Sequence, residues 1–295
     1  MTADPLVVVR HLRKHFTRRA GFFGRQIVSR AVDDVSFTIG ERETFGLVGE
    51  SGSGKTTTAR CMLRLIEPTG GEVHFRGENV LAFGRRRLRA ARREMQMVFQ
   101  DPHASLNPRM RVGAIVEEPL IIHRLGTRAE RAATVGRLLE QVGLDASLRN
   151  RYPHELSGGQ RQRVGLARAL ALNPSFVIAD EPVSALDVSI QAQVINLLID
   201  LQERFRLTYL LIAHDLRLVR HVCTRVAVMY RGRIVEMGPA GAIFEAAEHP
   251  YTRALLSAVP EVDTDAVPRR IDPPDVTAAG DTPLREIRPG HFAAV

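Results

Sequence analysis

The sequence has no tryptophan, only two cysteines and only two lysines, and it contains no long apolar run. Each shortage excludes something. No apolar stretch approaches the ~18 residues that a membrane-spanning helix requires. The most apolar segments, Leu6 to Val9, Phe176 to Ala179 and Tyr209 to Ala213, have the length of buried strands. The start, Met1-Thr2-Ala3-Asp4-Pro5, lacks the basic residues and apolar core of a secretory signal, so the chain is expected to stay in the cytoplasm. Cys61 and Cys223 are far apart and lack metal-ligand spacing, which reads as buried, reduced thiols. With Lys14 and Lys55 the sole lysines, 39 of the 41 basic residues are arginine, and the net charge is +8. A bias of this kind belongs to the whole chain and weakens the case for a nucleic-acid footprint. The densest cluster, Arg85, Arg86, Arg87, Arg89, Arg92 and Arg93, reads as a solvated helix face, at most one near anionic lipid headgroups. No nucleic-acid partner is expected.

What is present is a long chain, 295 residues with 44% hydrophobic content, able to bury a substantial core. Short β-branched strands fill the first ~45 residues, and Glu43 to Val48 has a buried-strand pattern leading into glycines. Thr56 to Ile66 reads as a helix stopped by Pro68-Thr69-Gly70-Gly71. From about Asp101 to Leu172 the spacing is helical, over Val112 to His123, Arg128 to Val142 and Gln160 to Leu172. Strands at 176–179, 208–213 and 225–230 then alternate with helices at 188–205 and 216–222. Alternation of this kind implies an α/β fold with a mainly parallel sheet, into which the helical block about 101–172 is inserted. Residues 1–260 are expected to form this domain. Residues 261–295, rich in Pro, Asp, Thr and Ala, read as a loosely ordered extension.

The chemistry is concentrated in three places. Gly49, Ser51, Gly52, Ser53, Gly54, Lys55 and Thr56 form a phosphate loop between a predicted strand and a predicted helix, the context this motif requires. Glycines let successive N–H groups converge on phosphate oxygens, and the helix N-terminus adds positive potential. Lys55 should reach the β- and γ-phosphates of ATP, Thr56 should ligate Mg²⁺, and Thr57 can donate to the α-phosphate. In a chain that otherwise uses arginine, a lysine here fits a loop too narrow for a planar guanidinium. Asp180 and Glu181 close an apolar strand, where a carboxylate beside a phosphate loop would hold Mg²⁺ (Asp180) and polarise the attacking water (Glu181). Gln100 follows the strand Met97 to Phe99, and its amide can ligate Mg²⁺ and orient water. His214 ends the strand Leu210 to Ala213 and could hold the γ-phosphate or the water. Phe16 is the candidate to stack on adenine, with His15, Phe22 and Phe23 as rivals. Finally, Leu156-Ser157-Gly158-Gly159-Gln160 precedes a helix. Ser157 is a good N-cap, and the paired glycines are expected to leave the helix N-terminus bare for a second phosphate.

Taken together, the loop at 49–56, Gln100, Leu156 to Gln160, Phe176 to Glu181, Ser184 to Asp187 and His214 occur in the order found in ABC-type ATPases, which the chain resembles over about residues 5–235. A narrower resemblance, to the oligopeptide/dipeptide importer branch, is carried by Val98 to Pro102, Ser105 to Met110, His249 to Leu256 and Pro289 to Phe292. Many members of that branch carry a cysteine-containing segment between the last two motifs. It is absent here, so no metal or redox role tied to it is carried over. The resemblance implies a P-loop NTPase core with an N-terminal antiparallel β subdomain and an inserted helical subdomain. It further implies an ATP-hydrolysing subunit on the cytoplasmic face of the inner membrane. Its implied partners are two membrane-spanning permease subunits, contacted near Gln100 to Leu120, an extracytoplasmic binding protein acting indirectly, and a second ATPase subunit that is either a paralogue or a second copy. Two such ATPases would clamp two ATP molecules, each serine–glycine element meeting the γ-phosphate held by the other. Cargo other than peptide (nickel, glutathione, a sugar) stays open, as does a soluble ATPase acting on nucleic acid or ribosomes.

Overall fold

Two long strands open the chain, β1 (Val7–Arg19) and β2 (Gln26–Ile39), paired antiparallel from Val7↔Ile39 out to Arg19↔Gln26. Their inner ends are apolar and buried, whereas the outer ends are exposed. Only Val7–Val9 and Val35–Ile39 carry a strand pattern in the sequence; the outer arms are polar, and their ladder is held by the partner strand rather than by a buried face. The structure, a computed structural model, describes residues 4–19, 26–101, 105–184, 186–257 and 282–295. Phe22 and Phe23 lie outside the described residues. The chain divides into two compact units, one of Met1–Gly84 with Leu210–Val295 and one of Arg85–Tyr209.

In the first unit, β3 (Thr44–Val48) is buried at every residue and runs into α1 (Lys55–Met62) through the phosphate loop. β4 (Gly70–Phe75) and β5 (Glu78–Asn79) complete an antiparallel sheet of order β2-β1-β4-β5. The second unit opens with α2 (Arg85–Glu94), whose arginines 85, 86, 87 and 89 are exposed, as a solvated face requires. β6 (Met95–Val98) follows, then α3 (Val112–Ile122), α4 (Arg128–Gln141) and α5 (Gly158–Leu170). β7 (Phe176–Asp180) pairs parallel with β6, with Val98 opposite Ala179, and α6 (Val188–Phe205) comes next.

The chain re-enters the first unit along β8 (Thr208–Ala213), also buried throughout. α7 (Leu216–Val222), β9 (Arg225–Tyr230) and β10 (Arg233–Pro239) follow. α8 (Ala240–Glu245) and α9 (Pro250–Ser257) then lead to β11 (Arg285–Arg288) and β12 (His291–Ala293). The strands of this unit run in the order β11-β12-β10-β9-β3-β8. β3 and β9 are parallel, so the phosphate loop leaves the carboxyl end of a central buried strand. The two cysteines are buried free thiols; burial pushes that of Cys61 up to about 11 and raises that of Cys223 as well.

The closing residues correct the sequence expectation. Read as loosely ordered, residues 261–295 include β11 and β12, which extend the sheet antiparallel from β10 through Glu236↔Ala293 and Met237↔Phe292. Ala293 and Ala294 are buried, and His291 is 1% exposed. Strands of four and three residues are too short to show a period, so composition alone misled. The part of the extension at 261–281 lies outside the described residues.

Candidate nucleotide and catalytic site

One backbone hydrogen bond closes the phosphate loop on itself, Ser53 N–H to Glu50 O at 3.2 Å, and a second ties it to the turn after β9, Gly232 N–H donating to Ser53 O at 2.9 Å. Gly49 (φ 147°) and Gly54 (φ 111°) are positions where no side chain fits: a Cβ would lie 2.1 Å from Met229 O at the first and 2.1 Å from Ala31 O at the second. Gly54 is the N-cap of α1 and offers no side-chain cap, and no acidic residue occupies the helix's first turn. The positive end of α1 is therefore presented to whatever fills the loop. Lys55 is 4% exposed; its Nζ donates to Gly49 O at 2.7 Å and to Glu50 O at 2.8 Å. A buried ammonium, an uncapped helix start and open space beside Gly52 fit a polyphosphate. Ser51 is exposed, Ser53 is buried, and Thr56 and Thr57 are half-buried on the first turn.

Also in this unit, His214 is exposed just after β8, and Phe16 lies on the outer part of β1, 43% exposed. The Lys14 ammonium stands 4.9 Å from the centre of the Phe16 ring. An exposed ring on a polar strand is better suited to stacking than to core packing.

The second unit carries the carboxylates. Asp180, the last residue of β7, is 1% exposed. Glu181 follows it with φ 45°, a left-handed conformation that a non-glycine residue holds only under constraint. Two hydrogen bonds to its carbonyl fix that turn, from the Ser184 N–H at 3.3 Å and the Ser184 hydroxyl at 3.2 Å. The Glu181 carboxylate accepts a hydrogen bond of 2.7 Å from Gln100 Nε2. Parallel pairing of β6 with β7 explains how residues 81 apart meet: both chains emerge at the same edge, one after Val98 and the other after Ala179. Sequence reading names both residues but contains no sign of their contact.

The serine–glycine element is where expectation and structure part. Ser157 caps α5 as expected, but the helix start is not bare. Ser157 Oγ accepts from the Gln160 N–H at 3.3 Å, and Gln160 Oε1 accepts from the Ser157 N–H at 2.9 Å, forming a reciprocal capping box. The Gln160 side chain is thereby turned back onto the cap. Gly158 and Gly159 remain the glycines of the first turn, and Gly159 has a packing reason as well: a Cβ there would lie 2.6 Å from Ile190 Cγ2. A serine followed three residues later by glutamine is the signal that could have revealed the box.

A strand-to-helix phosphate loop with a buried lysine, a second unit with a strand-end carboxylate pair and a serine–glycine helix start: these define a nucleotide-hydrolysing P-loop cassette. The sequence matches the ABC transporter family over residues 32–184 and the oligopeptide/dipeptide transporter C-terminal region over residues 235–281. It is 52% identical over 297 residues to the oligopeptide transport ATP-binding protein OppF of Bacillus subtilis, covering 98% of this chain and 95% of that one. It is 52% identical over 259 residues to AppF of the same organism, also an oligopeptide transport ATP-binding protein, covering 87% and 79%. Among solved structures, a dimeric ATP-binding cassette in a post-hydrolysis state bound to ADP and Pi matches with 31% identity and a TM-score of 0.70, over 79% of this chain and 98% of that one.

The chain belongs to the ABC transporter family, as an ATP-binding subunit of the oligopeptide/dipeptide import type, and is an ATPase whose hydrolysis is coupled to transport. The fold is that of an ABC cassette, with a mixed sheet, an N-terminal antiparallel β subdomain and helical regions.

Proposed function

We propose that this subunit drives peptide import with Glu181 as the group that polarises the attacking water, and that Gln100 sets when it can do so. The observation that supports this is the 2.7 Å hydrogen bond from Gln100 to Glu181 at a backbone held left-handed. A carboxylate oxygen that is accepting a hydrogen bond from an amide has that lone pair taken and cannot use it to orient water. Withdrawal of Gln100 would free Glu181. Because Gln100 stands at the entry to the helical residues expected to meet the permease, cargo status could reach the carboxylate through it. Lys55 and the first turn of α1 bind and orient the β- and γ-phosphates, Thr57 the α-phosphate, and Phe16 the adenine. His214 holds the γ-phosphate side.

The oxygen donors of Thr56, Gln100 and Asp180 suit Mg²⁺, which favours hard oxygen ligands. When bound, that ion would neutralise phosphate charge. Ser157, Gly158 and Gly159, with Gln160 holding their cap, serve the nucleotide of a second ATPase subunit rather than this chain's own. The pair would work with two permease subunits at the cytoplasmic face of the membrane, an extracytoplasmic binding protein delivering the peptide. The ATPase core of about residues 1–260 carries every one of these groups, with the helical insertion of about 101–172 serving the permease.

Glu181→Gln tests the reading. ATP binding should be retained, with turnover lowered by a factor of 10² or more, the usual reach of general-base catalysis. Wild-type turnover in that variant would remove Glu181 from the role.

A further inference from the structure

The phosphate loop is held from outside as well as from within. Tyr251, on α9 near the C-terminal end of the first unit, is 1% exposed, and its hydroxyl oxygen accepts a hydrogen bond of 3.0 Å from the Glu50 N–H. That N–H and the Gly49 carbonyl belong to one peptide plane. Its carbonyl side accepts the Lys55 ammonium at 2.7 Å. A single peptide group is thus gripped at both ends, by Tyr251 on one side and by the phosphate-binding lysine on the other. We propose that Tyr251 is a positioning residue for ATP binding: it fixes the orientation of the 49–50 peptide, and the peptide in turn fixes Lys55.

Three features argue that this contact is built rather than incidental. Gly49 brings no side chain to anchor the 49–50 peptide, and its φ of 147° is one that a substituted residue could not take there, so glycine is required for the backbone that presents this peptide to both partners. The tyrosine ring is itself fixed, its centre 4.2 Å from that of Tyr230. Its backbone is fixed too: the Tyr251 N–H donates to His249 Nδ1 at 3.1 Å. The His249 N–H donates to Glu236 Oε2 at 3.1 Å, and Glu236 Oε1 accepts from the Glu248 N–H at 2.8 Å and pairs with His291 Nε2 at 2.8 Å. Glu236, His249 and His291 are all at most 1% exposed. The path therefore runs from β12, the last strand, through a buried carboxylate and the start of α9 to the phosphate loop. Burial pushes the Tyr251 phenol up to about 12, so it stays neutral and able to hold the peptide throughout the physiological pH range. The peptide, polarised by a cation at its oxygen, is a better donor to the phenol than an isolated amide would be.

The inference rests on the nucleotide reading of the loop and is tested by equilibrium binding of ATP to the full chain. Tyr251→Phe keeps the ring and its packing on Tyr230 and removes only the acceptor. Kd for ATP should rise about three- to tenfold, the net worth of one hydrogen bond. In the assembled importer KM should rise by the same factor with kcat nearly unchanged, and amide exchange at Glu50 should accelerate. Thr252→Val, at a neighbour that is equally buried and whose hydroxyl has no hydrogen-bond partner among the described residues, tests for mere loosening of α9 and should leave Kd unchanged. An unchanged Kd and unchanged Glu50 exchange in Tyr251→Phe would overturn the inference, as would an equal rise in Kd in Thr252→Val. A wild-type chain that fails to bind ATP would instead overturn the nucleotide reading itself.

Discussion

Two helices of this protein begin at glycine-rich turns that bind phosphate in the proposed cycle, and they begin in opposite ways. α1 starts from Gly54, a left-handed residue with no side chain to cap the helix. α5 starts from Ser157, whose hydroxyl and whose partner Gln160 close a capping box. An uncapped helix start leaves its orphan N–H groups to solvent or ligand, whereas a boxed start satisfies two of them internally. The difference fits the different relation of each helix to its nucleotide. α1 meets the chain's own ATP within a loop that Lys55 and Tyr251 already shape, so the helix can be left open. α5, in the proposed pair, meets a phosphate that arrives with another subunit and leaves with it. It has to be a finished helix in the interval.

Breaking the open start should have the largest effect. Gly54→Ala puts a Cβ 2.1 Å from the Ala31 carbonyl oxygen at a φ of 111°. The strain and the forced shift of backbone should cost about 3 kcal/mol of stability and abolish ATP binding. Chemical denaturation and ATP titration check both. A variant that binds ATP as the wild type does would mean that the loop is far softer than the structure implies.

Removing the cap from the closed start should cost less. Ser157→Ala loses the acceptor for the Gln160 N–H and should lower stability by about 1 kcal/mol. ATP binding by the single chain should not change, whereas ATPase activity of the assembled pair should fall. Loss of ATP affinity in the isolated variant would show that the serine–glycine element serves this chain's own nucleotide, and the contrast between the two helix starts would collapse.

How far the sequence could be read follows the same division between local and distant causes. β7, α6, β8, α7 and β9 fall within a residue of their expected limits, because each is a continuous apolar or helical run with turn residues at its ends. The phosphate loop, Asp180 and Glu181 are recognisable for the same reason: their residues are consecutive. The outer arms of β1 and β2 are not, since cross-strand pairing rather than a buried face makes them strands. Nor are the contacts that join distant residues, Gln100 with Glu181 across 81 positions and Glu50 with Tyr251 across 201. Glu181's left-handed backbone is equally silent, because nothing in the identity of a glutamate announces it. The box at α5 is a local pattern, a serine followed three residues later by glutamine, and it is masked in the sequence by the two glycines between them, which favour an open helix start.

The smallest expected effect comes from changing the sign of the box without breaking it. The protein contains a second box for comparison, at α4, where the Thr127 N–H donates to Glu130 Oε2 at 2.6 Å and Thr127 Oγ1 accepts from the Glu130 N–H at 3.3 Å. Those backbone and hydroxyl hydrogen bonds hold the Glu130 carboxyl below its ordinary value. A carboxylate whose folded pKa is depressed supports the fold above its unfolded pKa, and that support is lost as pH falls through the folded value. The α4 box should therefore loosen in acid. The α5 box, closed by an uncharged glutamine, should not. Gln160→Glu would convert one kind into the other. At neutral pH the charge near a helix N-terminus should leave the isolated chain as stable or up to about 0.5 kcal/mol more so, and that gain should vanish on acidification below about pH 4. In the assembled pair the same charge would face an incoming triphosphate, and ATPase activity should fall while the single chain's ATP affinity holds. Unchanged pair activity at neutral pH would mean that the residue at position 160 lies outside the field of the second nucleotide. Its neutrality would then reflect only the mechanics of the cap.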